Sequence, residues 1–402
     1  MEKLLKVLQR LRPSNVTNGQ IGSIDLNIWL GQLAGLPLIG VNQEAKCQRI
    51  GQQILGFLML IALFCYVSLE IYDLKRSWTN LDMMTQNLVM TLTHLGYWFK
   101  VINTYFNYES IKQIINKLRR LTRDCVVSVN QQRTFYETEA KSKLVMIMYC
   151  HLITVPPIMA LFMIMFAPEG FAGERFPFRL KTPEFLPPFL QHLYMGLCLV
   201  YISAGLSVLD ILHVLFMNQI CLHLKILNLA FEEFTSIQSK GHILKRSNSQ
   251  MMSIVKYHCK LIVLRQEMEK VYRLPVMFQF ISSLIIVAMT AFQAIVGDVS
   301  QSTFLMDFLL TCVIVQLFIY CWYGNEVFEQ SKTLSTSGFG CDWHKFDSKF
   351  KRLLLIFMIN AERPFLFTAG GFMGLTLASF TNIMGKSYSI VAVLRQVYSR
   401  SQ

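Results

Sequence analysis

The sequence predicts an all-α polytopic membrane protein with seven transmembrane helices, a cytoplasmic N-terminus and an extracellular C-terminus. Three observations carry this. The 402-residue chain is 53% hydrophobic and only 16% charged, where a soluble domain carries about 25% charged residues. Several apolar runs exceed the roughly 18 residues that suggest a bilayer-crossing helix. Lys and Arg are concentrated in alternate loops, as in proteins that keep their positive loops inside.

The first 50 residues mix polar and apolar side chains and lack the compact apolar core and small-residue cleavage site of a secretory signal. The first span, Ile50–Tyr72, is therefore expected to act as the insertion signal. Further spans are expected at Met83–Phe106, Leu144–Phe166, Phe189–Met217, Leu274–Val296, Phe304–Tyr323 and Phe372–Arg395. The apolar run RLLLIFMI at Arg352–Ile359 is too short to cross and reads as a cytoplasmic or interfacial helix leading into the last span.

Basic residues set the orientation. They cluster before span one (Lys3 to Arg49), between spans two and three (Lys112 to Lys143) and between spans four and five (Lys225 to Arg273). Lys332, Lys345, Lys349, Lys351 and Arg352 precede the last span, while the alternate loops hold only Lys75, Arg76, Arg175, Arg179 and Lys181. The formal charge of +13 thus belongs to cytoplasmic loops and calls for no nucleic-acid partner. The outer loop from Ala167 to His192 contains no cysteine that could pin it by a disulfide. The sequon Asn15-Val16-Thr17 should face the cytosol and stay unglycosylated.

Spans four and five are expected to project beyond the membrane as a helical bundle, because NQICLHLKILNLAFEEFTSIQ and QMMSIVKYHCKLIVLRQEMEKVYRL alternate apolar and charged residues at helical spacing. No enzyme, metal or cofactor signature stands out: no CxxC pair or HExxH occurs, and TSGFG and AGGFMG lack the strand context of a nucleophile elbow or a nucleotide loop. His94 and His151 lie in spans, where packing or a satisfied polar contact is the expected role.

Two constellations bear on function. In SFTNIMGKSYSIVAVLRQ, a turn of about 100° per residue places Ser379, Asn382, Lys386, Ser389, Val393 and Gln396 within one arc of about 100°. Such a stripe faces either a packed bundle or a wet path, and an apolar interruption like Val393 gates a wet path by dewetting. The second constellation is a candidate apolar pocket. It draws on Thr93 and Tyr97 in THLGYWFK, His151 and Thr154 in HLITVPPIM, Tyr194, Cys198, Tyr201 and Ser203 in span four, and Phe308, Thr311, Cys312 and Gln316 in span six. Pro156 and Pro157 can open span three locally.

The stretch FKRLLLIFMINAERPFLFTAGGFMGLTLASFTNIMGKSYSIVAVLRQ resembles the C-terminal region of the insect odorant receptors, as do LFIYCWYGNEV, CDWHKF, and LDILHVLFMNQICLHLKIL with Asp210 and His213. The resemblance covers nearly the whole chain. It implies a tetrameric, odorant-gated, non-selective cation channel in the plasma membrane of olfactory sensory neurons. Residues 1–323 would hold six spans with the odorant pocket in the outer half, between spans two, three, four and six, and long cytoplasmic extensions. Residues 324–402 would hold a cytoplasmic anchor helix followed by the pore-lining seventh helix, with Val393 at the gate and Gln396 one turn outward. Gustatory receptors end in a T-Y-x5-Q-F motif that SYSIVAVLRQ does not match, and the shared co-receptor is longer between spans four and five. The chain therefore looks like an odorant-tuning subunit whose partners are the co-receptor in a heterotetramer, a small volatile odorant, membrane lipid and permeant cations, with no cofactor. A seven-span receptor signalling through G proteins is the alternative, and it requires the N-terminus outside.

Overall fold

In the computed structural model, the described residues are 14–36, 46–79, 81–166, 187–238, 244–296 and 301–401. Residues 167–186 of the segment read above as an outer loop, and residues 1–13 and 37–45 of the N-terminal segment, lie outside them. The helices are α1 Gly22–Leu33, α2 Lys46–Arg76, α3 Leu81–Phe106, α4 Tyr108–Cys125, α5 Val129–Phe166, α6 Pro188–Gln238, α7 Leu244–Val296, α8 Gln301–Phe339, α9 Ser348–Ala361 and α10 Leu377–Ser401. One antiparallel hairpin, β1 Thr368–Ala369 and β2 Met373–Gly374, pairs Thr368 with Gly374 and Ala369 with Met373.

Helix α6 is the axis of the fold. Every residue from Gly205 to Leu224 is buried, so this stretch has no solvent face and behaves as a helix enclosed on all sides. It packs against α5 and α8 along its length and against α1 and α3 at parts of it. α6 and α7 run for 51 and 53 residues, roughly 75–80 Å at 1.5 Å per residue. A hydrocarbon core of about 30 Å leaves more than half of each outside it. Among the described residues, five helices are long and apolar enough to cross a membrane: α2, α5, α6, α7 and α8. α3 and α10, which also coincide with expected spans, carry more polar side chains.

Prolines inside two helices leave carbonyls without their usual partners, since proline offers no N–H to the residue four positions earlier. Two of the freed oxygens are taken by side chains from neighbouring helices. Pro156 frees the carbonyl of Leu152, which accepts from the Cys312 thiol at 4.0 Å. Pro275 frees that of Val271, which accepts from Asn103 Nδ2 at 3.2 Å. The helices continue through these positions, and the repairs tie α5 to α8 and α7 to α3.

The expected start of the last span at Phe372 is not observed. Gly370 and Gly371 adopt φ of 68° and 88°, a left-handed conformation that favours glycine, and they turn the chain into the hairpin. α10 begins only at Leu377, where Thr376 accepts from the Ser379 N–H at 3.3 Å as an N-terminal cap. The hairpin is fastened to α7: Gly370 N–H donates to Arg273 O at 2.9 Å and Thr368 N–H to Glu269 Oε1 at 3.1 Å. The run RLLLIFMI lies in the 14-residue α9. Asp347 caps that helix by accepting from Phe350 N–H at 3.0 Å, a bond that also holds its carboxyl below its ordinary range.

Gly324 of α8 is the point where the hairpin's exit meets the helix. A Cβ there would overlap the carbonyl oxygen of Leu375 and lie 2.6 Å from its Cβ. Gly324→Ala is expected to cost about 1–3 kcal/mol through overpacking, seen as a lower melting midpoint of detergent-solubilised protein. Gly51→Ala, where nothing lies within 4 Å, should change stability by no more than about 1 kcal/mol. Equal midpoints for the two variants would count against this packing.

Candidate functional site: a cavity above a buried polar ring

A cavity of about 140 Å³ lies between α3, α5, α6 and α8. Its wall is mostly apolar, with Met90, Ile153, Pro156, Pro157, Leu199, Ile202, Leu206, Phe308, Leu309 and Val313. The polar contributions come from Thr93, His94, Ser203, Cys312 and Gln316. An apolar cavity of roughly 150 Å³ in another protein stays dry and takes up benzene, so this one suits a small apolar molecule of similar size.

The four helices are those expected to hold a pocket, but only part of the expected residue set lines it. Thr93, Phe308 and Cys312 do, as do Ser203 and Gln316. Tyr97 is fully buried, packed edge-on to Tyr201 at 6.2 Å and against the bare Cα of Gly205. Tyr194 donates its hydroxyl to Ala62 O at 2.8 Å, joining α6 to α2, and Cys198 is buried one turn further along α6. Thr154 turns its hydroxyl back to Cys150 O at 2.6 Å. His151 and Thr311 are exposed and bond to their own helices, at Ile147 O and Asp307 O. These residues belong to helix packing or the outer surface, not to the cavity wall.

Beneath the cavity lies an arrangement that sequence reasoning did not anticipate. Asp210 of α6 is 1% exposed and accepts four hydrogen bonds. Its Oδ1 receives Lys100 Nζ at 2.5 Å and the Tyr320 hydroxyl at 3.0 Å. Its Oδ2 receives the Tyr149 hydroxyl at 3.0 Å and the Gln316 amide. Four donors fill a carboxylate's accepting capacity. Lys100 also donates to Gln279 Oε1 at 2.6 Å, and Gln279 Nε2 donates to Gln316 Oε1 at 2.8 Å and to Ser283 Oγ at 3.0 Å. Lys100, Asp210, Gln316 and Gln279 therefore close a ring across α3, α6, α8 and α7, with Tyr149 attaching α5. Gln316 is both a ring member and a wall of the cavity.

A second buried pair lies at the cavity's edge. Both carboxylate oxygens of Glu70 on α2 lie 2.7 and 2.8 Å from His94 Nδ1, which gives His94 the satisfied polar contact expected of it. Among the described residues, no group of three or more His, Cys, Asp or Glu side chains could hold a metal ion.

The residues of the polar stripe sit on α10 as follows. Ile383, Ser387 and Val391 are buried against the rest of the chain, and Ser387 donates to Leu284 O of α7 at 3.3 Å. Asn382, Lys386, Ser389, Val393 and Gln396 are exposed, Val393 by 60%, while Ser379 is half-buried and donates to Gly374 O. The chain's own packing thus leaves Asn382, Lys386, Ser389 and Val393 of the stripe exposed.

These features define a class: an all-helical, multi-pass membrane protein with a small apolar cavity set over a buried polar ring. The 7tm odorant receptor family matches residues 80–388, and the chain belongs to that family, whose members are receptors and not enzymes. It is 23% identical over 207 residues to putative odorant receptor 92a of Drosophila melanogaster, covering 51% of this chain and 50% of the relative. It is 27% identical over 231 residues to odorant receptor 82a of the same insect, 56% of each chain, and 26% identical over 152 residues to odorant receptor 85c, 38% of this chain and 39% of the relative. The matches thus span about half the length of these relatives or less. The relatives are tuning receptors, not the shared co-receptor. Among solved structures, the olfactory receptor OR5 of Machilis hrabei in complex with eugenol superposes with a TM-score of 0.78 at 18% identity, over 93% of this chain and 97% of that one. The same receptor in a second structure gives 0.76. That likeness establishes the fold.

The ring predicts a stability signature. Asp210→Ala leaves the Lys100 ammonium buried without its counter-charge and is expected to cost about 3–5 kcal/mol. The double variant Asp210→Leu with Lys100→Met removes both charges and should recover much of that loss. Melting midpoints of the solubilised proteins check it; a double variant no better than the single one would contradict the ring's electrostatic role.

Proposed function

We propose that the chain is the odorant-binding subunit of a ligand-gated, non-selective cation channel. It would act in olfactory signal transduction in the plasma membrane of sensory neurons. The observation that carries this reading is the pairing of an apolar cavity with an exposed polar face on α10. The cavity suits a volatile apolar ligand, and eugenol, the ligand of the structurally similar Machilis receptor, is a small aromatic molecule of the same general kind. Asn382, Lys386, Ser389 and Val393 of α10 are exposed in the single chain, and copies of such a helix around a symmetry axis enclose a path. Val393 is then its apolar constriction and Asn382, Lys386, Ser389 and Gln396 its wet lining. We read α3 and α10 as spans two and seven, the N-terminus as cytoplasmic, and the lower parts of α6, α7 and α8 together with α9 as a cytoplasmic anchor. A co-receptor subunit completes the heterotetramer.

The ring supports a route between cavity and pore. A ligand in the cavity touches Gln316, Gln316 holds Gln279 of α7, and α7 holds α10 through Leu284 and Ser387. Only a ligand that binds the open arrangement better than the closed one shifts the balance.

Co-expression with the co-receptor and current recording across a panel of volatiles tests the reading. At normal surface expression, Val393→Ser should raise basal current, and an unchanged basal current would remove Val393 from the gate. Truncating the cavity wall with Phe308→Ala should raise the half-activating concentration at least about tenfold, the equivalent of 1.4 kcal/mol. Thr311→Ala, on the exposed side of the same helix, should move it less than about twofold. A reversed order would place the ligand elsewhere.

A further inference from the structure

The polar groups in the cavity wall do not offer equal chances to a ligand, because most have already given their hydrogens away. Thr93 donates to Val89 O at 2.9 Å, Ser203 to Val200 O at 2.9 Å, and the Cys312 thiol to Leu152 O at 4.0 Å. Gln316 is held at both ends of its amide, by Asp210 and by Gln279. His94 differs. All of its hydrogen bonds to the described residues run through Nδ1 to Glu70, a residue that is not part of the cavity wall. The second nitrogen, Nε2, has no such partner, and it is absent from the atoms that are both buried and unsatisfied.

The state of that nitrogen follows from charge balance. Glu70 and His94 are 7% and 3% exposed, and a net charge buried among apolar helices is costly. Two neutral forms keep a proton between Nδ1 and the carboxyl group, the ion pair and the acid donating to the neutral ring, and both carry the second proton on Nε2. We infer that His94 presents an N–H to the cavity and that Glu70 fixes it there, so the ligand class is a small apolar molecule bearing one acceptor oxygen, such as a ketone, aldehyde or ester. This rests on the odorant-receptor reading above and specifies the ligand of the same cavity.

The test uses three probes of nearly equal shape: acetophenone, the alcohol obtained by reducing it, and ethylbenzene. Applied to the chain co-expressed with its co-receptor, acetophenone should activate at about a five- to tenfold lower concentration than ethylbenzene, the gain of one hydrogen bond. The alcohol should fall between them. His94→Phe should compress the difference between acetophenone and ethylbenzene to less than about twofold. Because that variant leaves Glu70 buried and unpaired, the double variant His94→Phe with Glu70→Leu is measured beside it, each normalised to surface expression. A preference for the alcohol over acetophenone overturns the inference, since Nε2 would then be accepting. So does an acetophenone preference that survives the double variant. If other volatiles open the channel but none of the three does, the carbonyl assignment alone fails; if no volatile opens it, the receptor-channel reading fails with it.

Discussion

The carboxylate of Asp210 is the interaction on which the arrangement of the helices depends. A lone charge at that depth would be prohibitively costly, so its presence demands donors, and each donor comes with its own helix attached. Lys100 brings α3, Tyr149 brings α5, and Gln316 and Tyr320 bring α8. Gln279 extends the demand to α7. Apolar packing among these helices is tolerant of sliding, since leucine and isoleucine surfaces interdigitate in several registers. Hydrogen bonds of fixed length are not tolerant. The ring therefore sets the axial register of helices that lipid-like packing alone would leave loosely specified.

That constraint also explains where the cavity lies. The ring draws α3, α5, α6 and α8 together at one level, and tyrosines fill the space there: Tyr97 is packed against Gly205 so closely that a Cβ would collide. Above it, α5 contains Pro156 and Pro157, which interrupt its internal bonding, and the helix passes α8 with only the weak Cys312 thiol contact to replace one lost bond. Space remains where the polar ties end. A pocket wall that includes the ring residue Gln316 is coupled to helix register by construction, whereas its apolar parts can adapt to different ligands.

The sequence revealed these layers unevenly. Spans one and three to six were legible because a bilayer-crossing helix is written as a local apolar run. The start of the last helix was misread at Phe372, since the composition of FTAGGFMG is apolar enough to pass, and the decisive fact is that Gly370 and Gly371 turn left-handed. α4 carries a plain helical signal in Ile111, Ile114, Ile115, Leu118 and Leu121, all buried, that the focus on basic residues obscured. The ring could not be read at all as a pattern: Lys100 and Asp210 are 110 residues apart and Gln279 lies 179 from Lys100. The available signal was weaker but real, namely that Lys100, Asp210, Gln279 and Gln316 are each polar residues inside apolar segments, where such groups need partners. Pocket residues were chosen by helix and chemistry, not by face, which is why Phe308 and Cys312 line the cavity while Thr311, between them in sequence, points away.

In the proposed channel, Lys386 is the residue whose placement tests the physical consistency of the pore. It precedes Val393 by seven positions, about 10 Å along the helix, and it is exposed on the uncovered face. In water, two unit charges 10 Å apart repel by only about 0.4 kcal/mol, below thermal energy, and salt screens even this. At an effective dielectric of about 20 the same pair repels by about 1.7 kcal/mol, enough to deplete cations more than about tenfold. A cation-conducting path is therefore compatible with Lys386 only if the region below Val393 is wide and wet. Asn382 and Ser389 would supply the wet part of that condition, because they hold water where an apolar face would exclude it. The ammonium's flexible stem lets it move aside from the axis. In such a channel dewetting would be confined to Val393, the apolar residue of the stripe.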